Sequence, residues 1–465
     1  MEKLWLKQYP AGVPPQIDVD RYSSVKQIFE EHSAKFAGLP AFVNMGVSLS
    51  YGELDALSAR FGAWLQQERG FQRGDRVAIM MPNLLQYPVV LFGALRTGMT
   101  VVNVNPLYTA RELEHQLRDS GARGIVILEN FAHTLQEVKG CAALDTIVTT
   151  EIGDLFPSPK RQLVNFAVKH VKKMVPAFEL PGSMKLPEVL AAGTDYDLEP
   201  VSLGHQDIAF LQYTGGTTGI SKGAVLTHGN MVANVLQASA WLGKGGLEPG
   251  KELVITALPL YHIFSLTANC MVFMTLGGKN VLITNPRDMK DFVKTLSKYP
   301  FSVITGVNTL FNGLLHAQGF EQLDFSHLKL ALGGGMAVQR AVAEQWKKVT
   351  GKPIVEAYGL TETSPAACIN PLDLKDYNAS IGLPIPSTDL SIRDDEGKEL
   401  GVGEVGELCF KGPQVMRGYW NQPEETAKVL SPDGWLRTGD MGKVDEKGFV
   451  YIVDRKKDMI LVSGF

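Results

Sequence analysis

Cysteine is scarce in this chain: of 465 residues only Cys141, Cys270, Cys368 and Cys409 carry a thiol, far apart and without a Cys-x-x-Cys pair. That spacing indicates neither a disulfide framework nor a zinc site, and reduced thiols in a cytoplasmic protein are the simplest reading. A basic surplus is also missing. The 45 Lys and Arg stand against 49 Asp and Glu, a formal net charge of -4, whereas a general nucleic-acid binder is normally basic. The N-terminus, MEKLWLKQYPAGVPP, meets charge and proline too early for a secretory apolar stretch. One charge-free run, Val254 to Gly278, has bilayer-spanning length but is interrupted by Pro259, His262 and Asn269. It reads as a buried strand over Val254 to Leu258, a loop around Pro259, and a core helix ending near Gly277 and Gly278. Repeats and long low-complexity tracts are absent as well.

What is present is ordinary globular material, 45% hydrophobic and 20% charged, of a length that suggests about three domains. Helical spacing from Tyr51 to Gln67 precedes the strand-like Arg76-Val-Ala-Ile-Met-Met. Helix Tyr87 to Thr97, strand Thr100-Val-Val-Asn-Val, helix Ala110 to Ser120 and strand Gly124-Ile-Val-Ile-Leu then follow in turn. Such alternation predicts parallel sheets covered on both faces by helices, and a second alternating block runs from Ile208 to about Ile369. After Ile381 short runs such as Glu407-Leu-Cys-Phe-Lys and Val450-Tyr-Ile-Val are split by glycine turns. The expected fold class is α/β, with two α/β subdomains (1–203 and 204–380) and a small β-rich subdomain (381–453). Residues 454–465 stop inside an apparent turn, as a truncated chain would.

The strongest local pattern is Phe210-Leu-Gln-Tyr-Thr-Gly-Gly-Thr-Thr-Gly-Ile-Ser-Lys-Gly-Ala. Glycines let backbone N–H groups close around phosphate oxygens, hydroxyls donate further hydrogen bonds, and Lys222 adds positive charge. The order differs from a Walker A loop, because Ile220 and Ser221 precede Lys222 and Gly223 follows it. The bland alternative is a Gly/Thr surface loop. Two literal matches are decoys. Gly219-Ile-Ser-Lys-Gly lacks the strand-to-helix turn of a nucleophile elbow, and Gly401-Val-Gly-Glu-Val-Gly opens a β-like stretch instead of a helix.

Tyr213 to Gly223 resembles the phosphate loop of the adenylate-forming superfamily, which holds acyl-CoA synthetases, luciferases and peptide-synthetase adenylation domains. Leu258-Pro-Leu-Tyr-His-Ile-Phe, Gly333-Gly-Gly-Met-Ala, Tyr358-Gly-Leu-Thr-Glu, Thr438-Gly-Asp and Asp454-Arg-Lys-Lys are similar to further motifs in the family's order. Asp433-Gly-Trp-Leu-Arg-Thr-Gly-Asp through Lys457 resembles the fatty acyl-CoA synthetase signature. Met81-Pro-Asn-Leu-Leu-Gln-Tyr-Pro and Asn103-Val-Asn-Pro-Leu-Tyr-Thr-Ala-Arg-Glu resemble the bacterial long-chain enzymes.

The resemblance implies a two-step reaction. A carboxylate attacks the α-phosphorus of ATP to give acyl-adenylate and pyrophosphate, and the coenzyme A thiol then displaces AMP. It implies that Thr214, Gly215, Gly216, Thr217, Thr218, Gly219 and Lys222 hold the triphosphate, with Gly215 standing where the family often has a hydroxyl. Thr361 would touch the α-phosphate and Glu362 would coordinate Mg2+, a hard cation suited to carboxylate oxygen; a helix-start Glu is the alternative for Glu362. Tyr358 would stack on adenine beside Gly334 and Gly335, with Asp440 and Arg455 at the ribose. His262 falls near the reacting carboxylate, although a lone His among apolar residues is as readily a packed core group. The acyl tunnel is expected between this segment and Thr305-Gly-Val-Asn-Thr-Leu-Phe, with Gly306 leaving room. The family's small C-terminal domain, which supplies a further lysine, begins at the hinge near Lys457, so the chain is expected to bind ATP or acyl-adenylate but to be impaired in both half-reactions.

The partners implied are a long-chain fatty acid, ATP and coenzyme A, without nucleic acid and with a homodimer in keeping with the family. A medium-chain or aryl acid ligase of the same fold, or a non-catalytic acyl- or nucleotide-binding module, are the alternatives. Lys160 to Val175 places apolar residues at 164, 167, 168, 171, 174 and 175 with basic residues opposite. That is the pattern of a helix lying on an anionic membrane, and also of a surface helix packed on its own domain. The expected location is cytoplasmic, with peripheral contact at the inner face of the cytoplasmic membrane.

Overall fold

The computed structural model describes residues 3–138, 144–214, 221–243 and 245–455. Among them, strands assemble into three sheets. The first has seven strands, in the spatial order Met184–Lys185, Thr146–Thr150, Gly124–Leu128, Arg76–Met80, Thr100–Asn103, Ile208–Tyr213 and Gly223–Thr227. All neighbours run parallel except the last two, which pair antiparallel. The second has nine. Parallel strands Ile354–Gly359, Leu330–Gly333, Val303–Gly306, Leu253–Thr256, Lys279–Leu282 and Pro40–Asn44 fill its middle. Antiparallel strands flank them, Ala366–Ile369 and Leu383–Pro384 on one side and Val47–Ser50 on the other. Each large sheet thus draws strands from both sides of position 203. The third sheet is antiparallel, Asp389–Arg393, Gly406–Lys411, Leu436–Val444 and Val450–Arg455.

The central strands are apolar along their whole length because both sheet faces are covered; Gly124–Leu128 is buried at every position. The helices start where the sequence supplies caps. Ser50 and Glu53 form a reciprocal capping box for Tyr51–Ala63, and Thr109 with Glu112 does the same for Ala110–Ser120. Trp5, Trp64, Trp241 and Trp346 are fully buried. The charge-free run folds as strand Leu253–Thr256 followed by helical segments between Ile263 and Thr275. Among the described residues no helix is long and apolar enough to cross a membrane.

Strand Leu436–Val444 runs through Thr438-Gly439-Asp440. Gly439 adopts φ +75°, and the four steps from Arg437 to Met441 face only the two from Cys409 to Glu407, so the strand bulges there and continues. The basic helix differs from expectation too. Lys160–Phe166 continues as a wide turn over Ala167–Val171. Val164 and Val168 pack inward on the main core, whereas Val171 and Met174, expected on the same face, are exposed with Leu163 and Phe166. The predicted apolar face is therefore split in two. Lys169 does not lie free on the polar side, because it pairs with the buried Glu129 at 3.4 Å.

Candidate active site

A cleft of about 940 Å³ opens at the C-terminal ends of the parallel strands, where all three sheets contribute walls. Asn103, Tyr213 and Thr214 line it from the first sheet, Leu332 and Ala357 to Gly359 from the second, and Leu436 to Asp440 from the third. Ligands of open α/β sheets bind at such strand ends, and the volume is at the upper end of the usual range for small-molecule sites.

On one wall the backbone N–H of Thr214 donates to the Lys222 carbonyl at 3.0 Å. Gly215, Gly216, Thr217, Thr218 and Gly219 lie outside the described residues, as does the Arg455 side chain. Lys222 Nζ is 2.6 Å from Glu425 Oε2 and 4.8 Å from the centre of the Tyr419 ring. The Tyr419 hydroxyl in turn donates to Glu362 Oε1 at 2.7 Å. A single phenol thus bridges the two charged groups that sequence reasoning singled out. Thr361 and Glu362 are held by a pinned turn: the Leu360 N–H donates to Thr363 Oγ1 at 2.9 Å, and Thr363 donates to the Pro365 carbonyl. A Cβ on Gly359 would lie 1.8 Å from that same carbonyl oxygen, so only glycine fits.

On the opposite wall the Tyr358 hydroxyl donates to Asp440 Oδ2 at 2.6 Å, and its ring lies 5.9 Å from that of Phe410. Burial, reinforced by the Asp440 charge, holds the Tyr358 proton well above the usual phenol range. Gly334 and Gly335 border the cleft, and a Cβ on Gly334 would come within 3.1 Å of the Ala357 carbonyl and the Phe264 ring. Glu407 anchors the Gly439 bulge, accepting from the Gly439 N–H at 3.0 Å and from Arg437 Nη2 at 2.6 Å.

The floor is formed by Tyr261 and His262. His262 lines the cleft, and its Nδ1 accepts from the Phe264 N–H at 3.3 Å, which leaves the proton of the neutral ring on Nε2. His262 is exposed to the cleft, yet the protein crowded around it desolvates the ring and lowers its pKa. A buried amide chain supports the floor: Tyr87 donates to Asn103 Oδ1 at 2.6 Å, Asn103 to Gln212 Oε1 at 2.9 Å, and Gln212 to the Tyr261 carbonyl at 2.8 Å. The apolar extension of the cleft passes between helix His228–Leu242 and the segment 263–272, lined by Ala238, Leu242, Ala268 and Val272. The expected route beside residues 305–311 is not the one found. The Phe311 ring fills the space that Gly306 leaves, 2.8 Å from where a Cβ would sit, and packs on Trp346.

Thr214, Lys222, His262, Gly334, Gly335, Tyr358, Thr361, Glu362 and Asp440 all line this one cleft. Tyr419, Glu425 and the Asn103–Gln212 pair went unnoticed in the sequence; an aromatic pair, Tyr419-Trp420, inside a Gly- and Pro-flanked polar segment was the available sign. A family model described as AMP-binding enzyme matches residues 29–420. The chain belongs to that family. A long-chain-fatty-acid–CoA ligase of Yersinia pestis is 57% identical over all of this chain and 82% of its own length. One from Bacillus subtilis is 38% identical with the same coverage. Among solved structures, a long-chain-fatty-acid–CoA ligase from Archaeoglobus fulgidus superposes on this AMP-binding chain with a TM-score of 0.80. It is 25% identical, with 96% of this chain and 87% of that one covered.

Proposed function

We propose that this chain activates long-chain fatty acids with ATP, forming an acyl-adenylate that coenzyme A then converts to the thioester. One observation carries the reading: the Thr214–Lys222 wall, the Thr361–Glu362 turn and the Tyr358–Asp440 pair border a single cleft with an apolar extension. The fatty acid carboxylate attacks the α-phosphorus, and the bond to pyrophosphate breaks. Lys222, the Thr214 hydroxyl and Thr361 oppose the charge on the phosphates, and His262 Nε2–H donates to the acyl carboxylate and orients it. Tyr358 offers its ring to adenine, and the Asp440 carboxylate accepts from ribose. Glu362 is a single carboxylate, and among the described residues no cluster of three His, Cys, Asp or Glu forms an ion cage. That donor set fits Mg2+ carried in with a nucleotide, held by Glu362 and phosphate oxygens and supplying charge neutralisation.

The apolar path past Ala238, Leu242 and Val272 favours an alkyl tail over an aryl acid. Binding of non-reactive acyl-sulfamoyl adenosines tests this without requiring turnover. The hexadecanoyl analogue is expected to bind tighter than the octanoyl and benzoyl analogues; the reverse order overturns the long-chain reading. A cytoplasmic protein touching the membrane peripherally completes the proposal. It is supported by Leu163, Phe166 and Val171, which are 66%, 61% and 68% exposed beside Lys172 and Lys173.

A further inference from the structure

Lys222 meets the cleft already paired. Its ammonium sits 2.6 Å from Glu425 Oε2, and the other oxygen of that carboxylate takes Lys428. Glu425 belongs to the short helix Pro423–Val429, in which no residue is buried, so the carboxylate rides on a lightly held element. The helix is tethered beside the site by Thr426, whose Oγ1 accepts from the Tyr419 N–H at 2.8 Å. Tyr419 itself lies under Lys222 and donates to Glu362. One compact arrangement therefore satisfies the lysine, the phenol and the acid together. Two lysines hold the Glu425 carboxyl well below the usual carboxylate range, and so it is anionic at any working pH.

We propose that Glu425 is a positioning residue that stands in for phosphate: it holds Lys222 over Tyr419 while the cleft lacks nucleotide, and gives Lys222 up when the triphosphate arrives. This rests on the reading of Lys222 as a phosphate ligand. A triphosphate brought to Lys222 finds a carboxylate already on the ammonium, so entry requires an exchange of anions, and the two anions repel while both are near. On the return path Glu425 recaptures Lys222 and favours departure of pyrophosphate. Glu425 thereby lowers the affinity of the site for phosphates in exchange for a lysine kept in place.

Calorimetric titration of the chain with pyrophosphate, and separately with ATP, tests this. Glu425→Gln is expected to tighten pyrophosphate by about two- to fivefold, the scale of an exposed ion pair, and Glu425→Asp to restore the original affinity. In a Lys222→Met background Glu425→Gln is expected to change nothing. Unchanged or weaker binding in Glu425→Gln overturns the proposal. So does tightening that persists without Lys222, since that would be a general charge effect or the release of Lys428. If the unsubstituted chain binds neither anion, or binds them equally well with Lys222→Met, the nucleotide reading fails as well. If Lys222 matters and Glu425 does not, only this inference falls.

Discussion

Glu356 lies just below the Gly334–Gly335 wall of the cleft, where its Oε1 accepts from the Val338 N–H at 3.0 Å and so fixes the turn that follows Gly333. Burial raises its carboxyl from an ordinary 4.5 to about 7. Between those values the folded state binds more protons than the unfolded, so stability is full below 4.5 and falls as pH rises towards 7. Glu356→Gln keeps the acceptor for Val338 and removes the titration. Its urea midpoint should match the parent at pH 4.5 and exceed it at pH 8, by up to about 3 kcal/mol in stability; an equal offset at both values contradicts this. Single residues were unevenly legible. Lys222, Glu362, Tyr358 and Asp440 sit in ordered motifs that bring them to mind together. Glu425 lies 203 positions from Lys222 in sequence, and its meaning exists only once the third sheet has folded against the first two.

Among the elements, the central strands were readable because burial on both faces demands continuous apolar runs, and Gly124–Leu128 was found with its predicted bounds. Strand Leu436–Val444 was hidden by its place at the cleft: polar Thr438 and Asp440 and the left-handed Gly439 break the apolar pattern there. Pro40–Asn44 and Val47–Ser50 were missed because a short hairpin in a helical region has little periodicity to display. The basic helix Lys160–Phe166 carries its own prediction. Leu163, Phe166 and Val171 jointly changed to Ser should weaken binding to phosphatidylglycerol vesicles by at least about tenfold, given three apolar side chains removed from the lipid boundary. The parent's affinity in the triple variant would remove the membrane contact. Lys169 is left unchanged in that test, since it serves the buried Glu129.

At the scale of the whole molecule, the cleft exists because three sheets present their ends to one another. The alternation of strands and helices foretold the layers. It could not foretell that strands from both sides of position 203 would complete each large sheet, because pairing between distant segments leaves no local mark. Nor could it place the apolar extension of the cleft, which avoids residues 305–311 because the Phe311 ring fills the room beside Gly306. The central claim is that opposite walls serve one nucleotide. Equilibrium titration with ATP and Mg2+ measures this directly, comparing the chain with Lys222→Ala, Glu362→Gln and Asp440→Asn. The account predicts one site per chain and a loss of about tenfold or more in each variant, with melting temperatures unchanged. Binding that is indifferent to any two of these substitutions, or a second independent site, would contradict it.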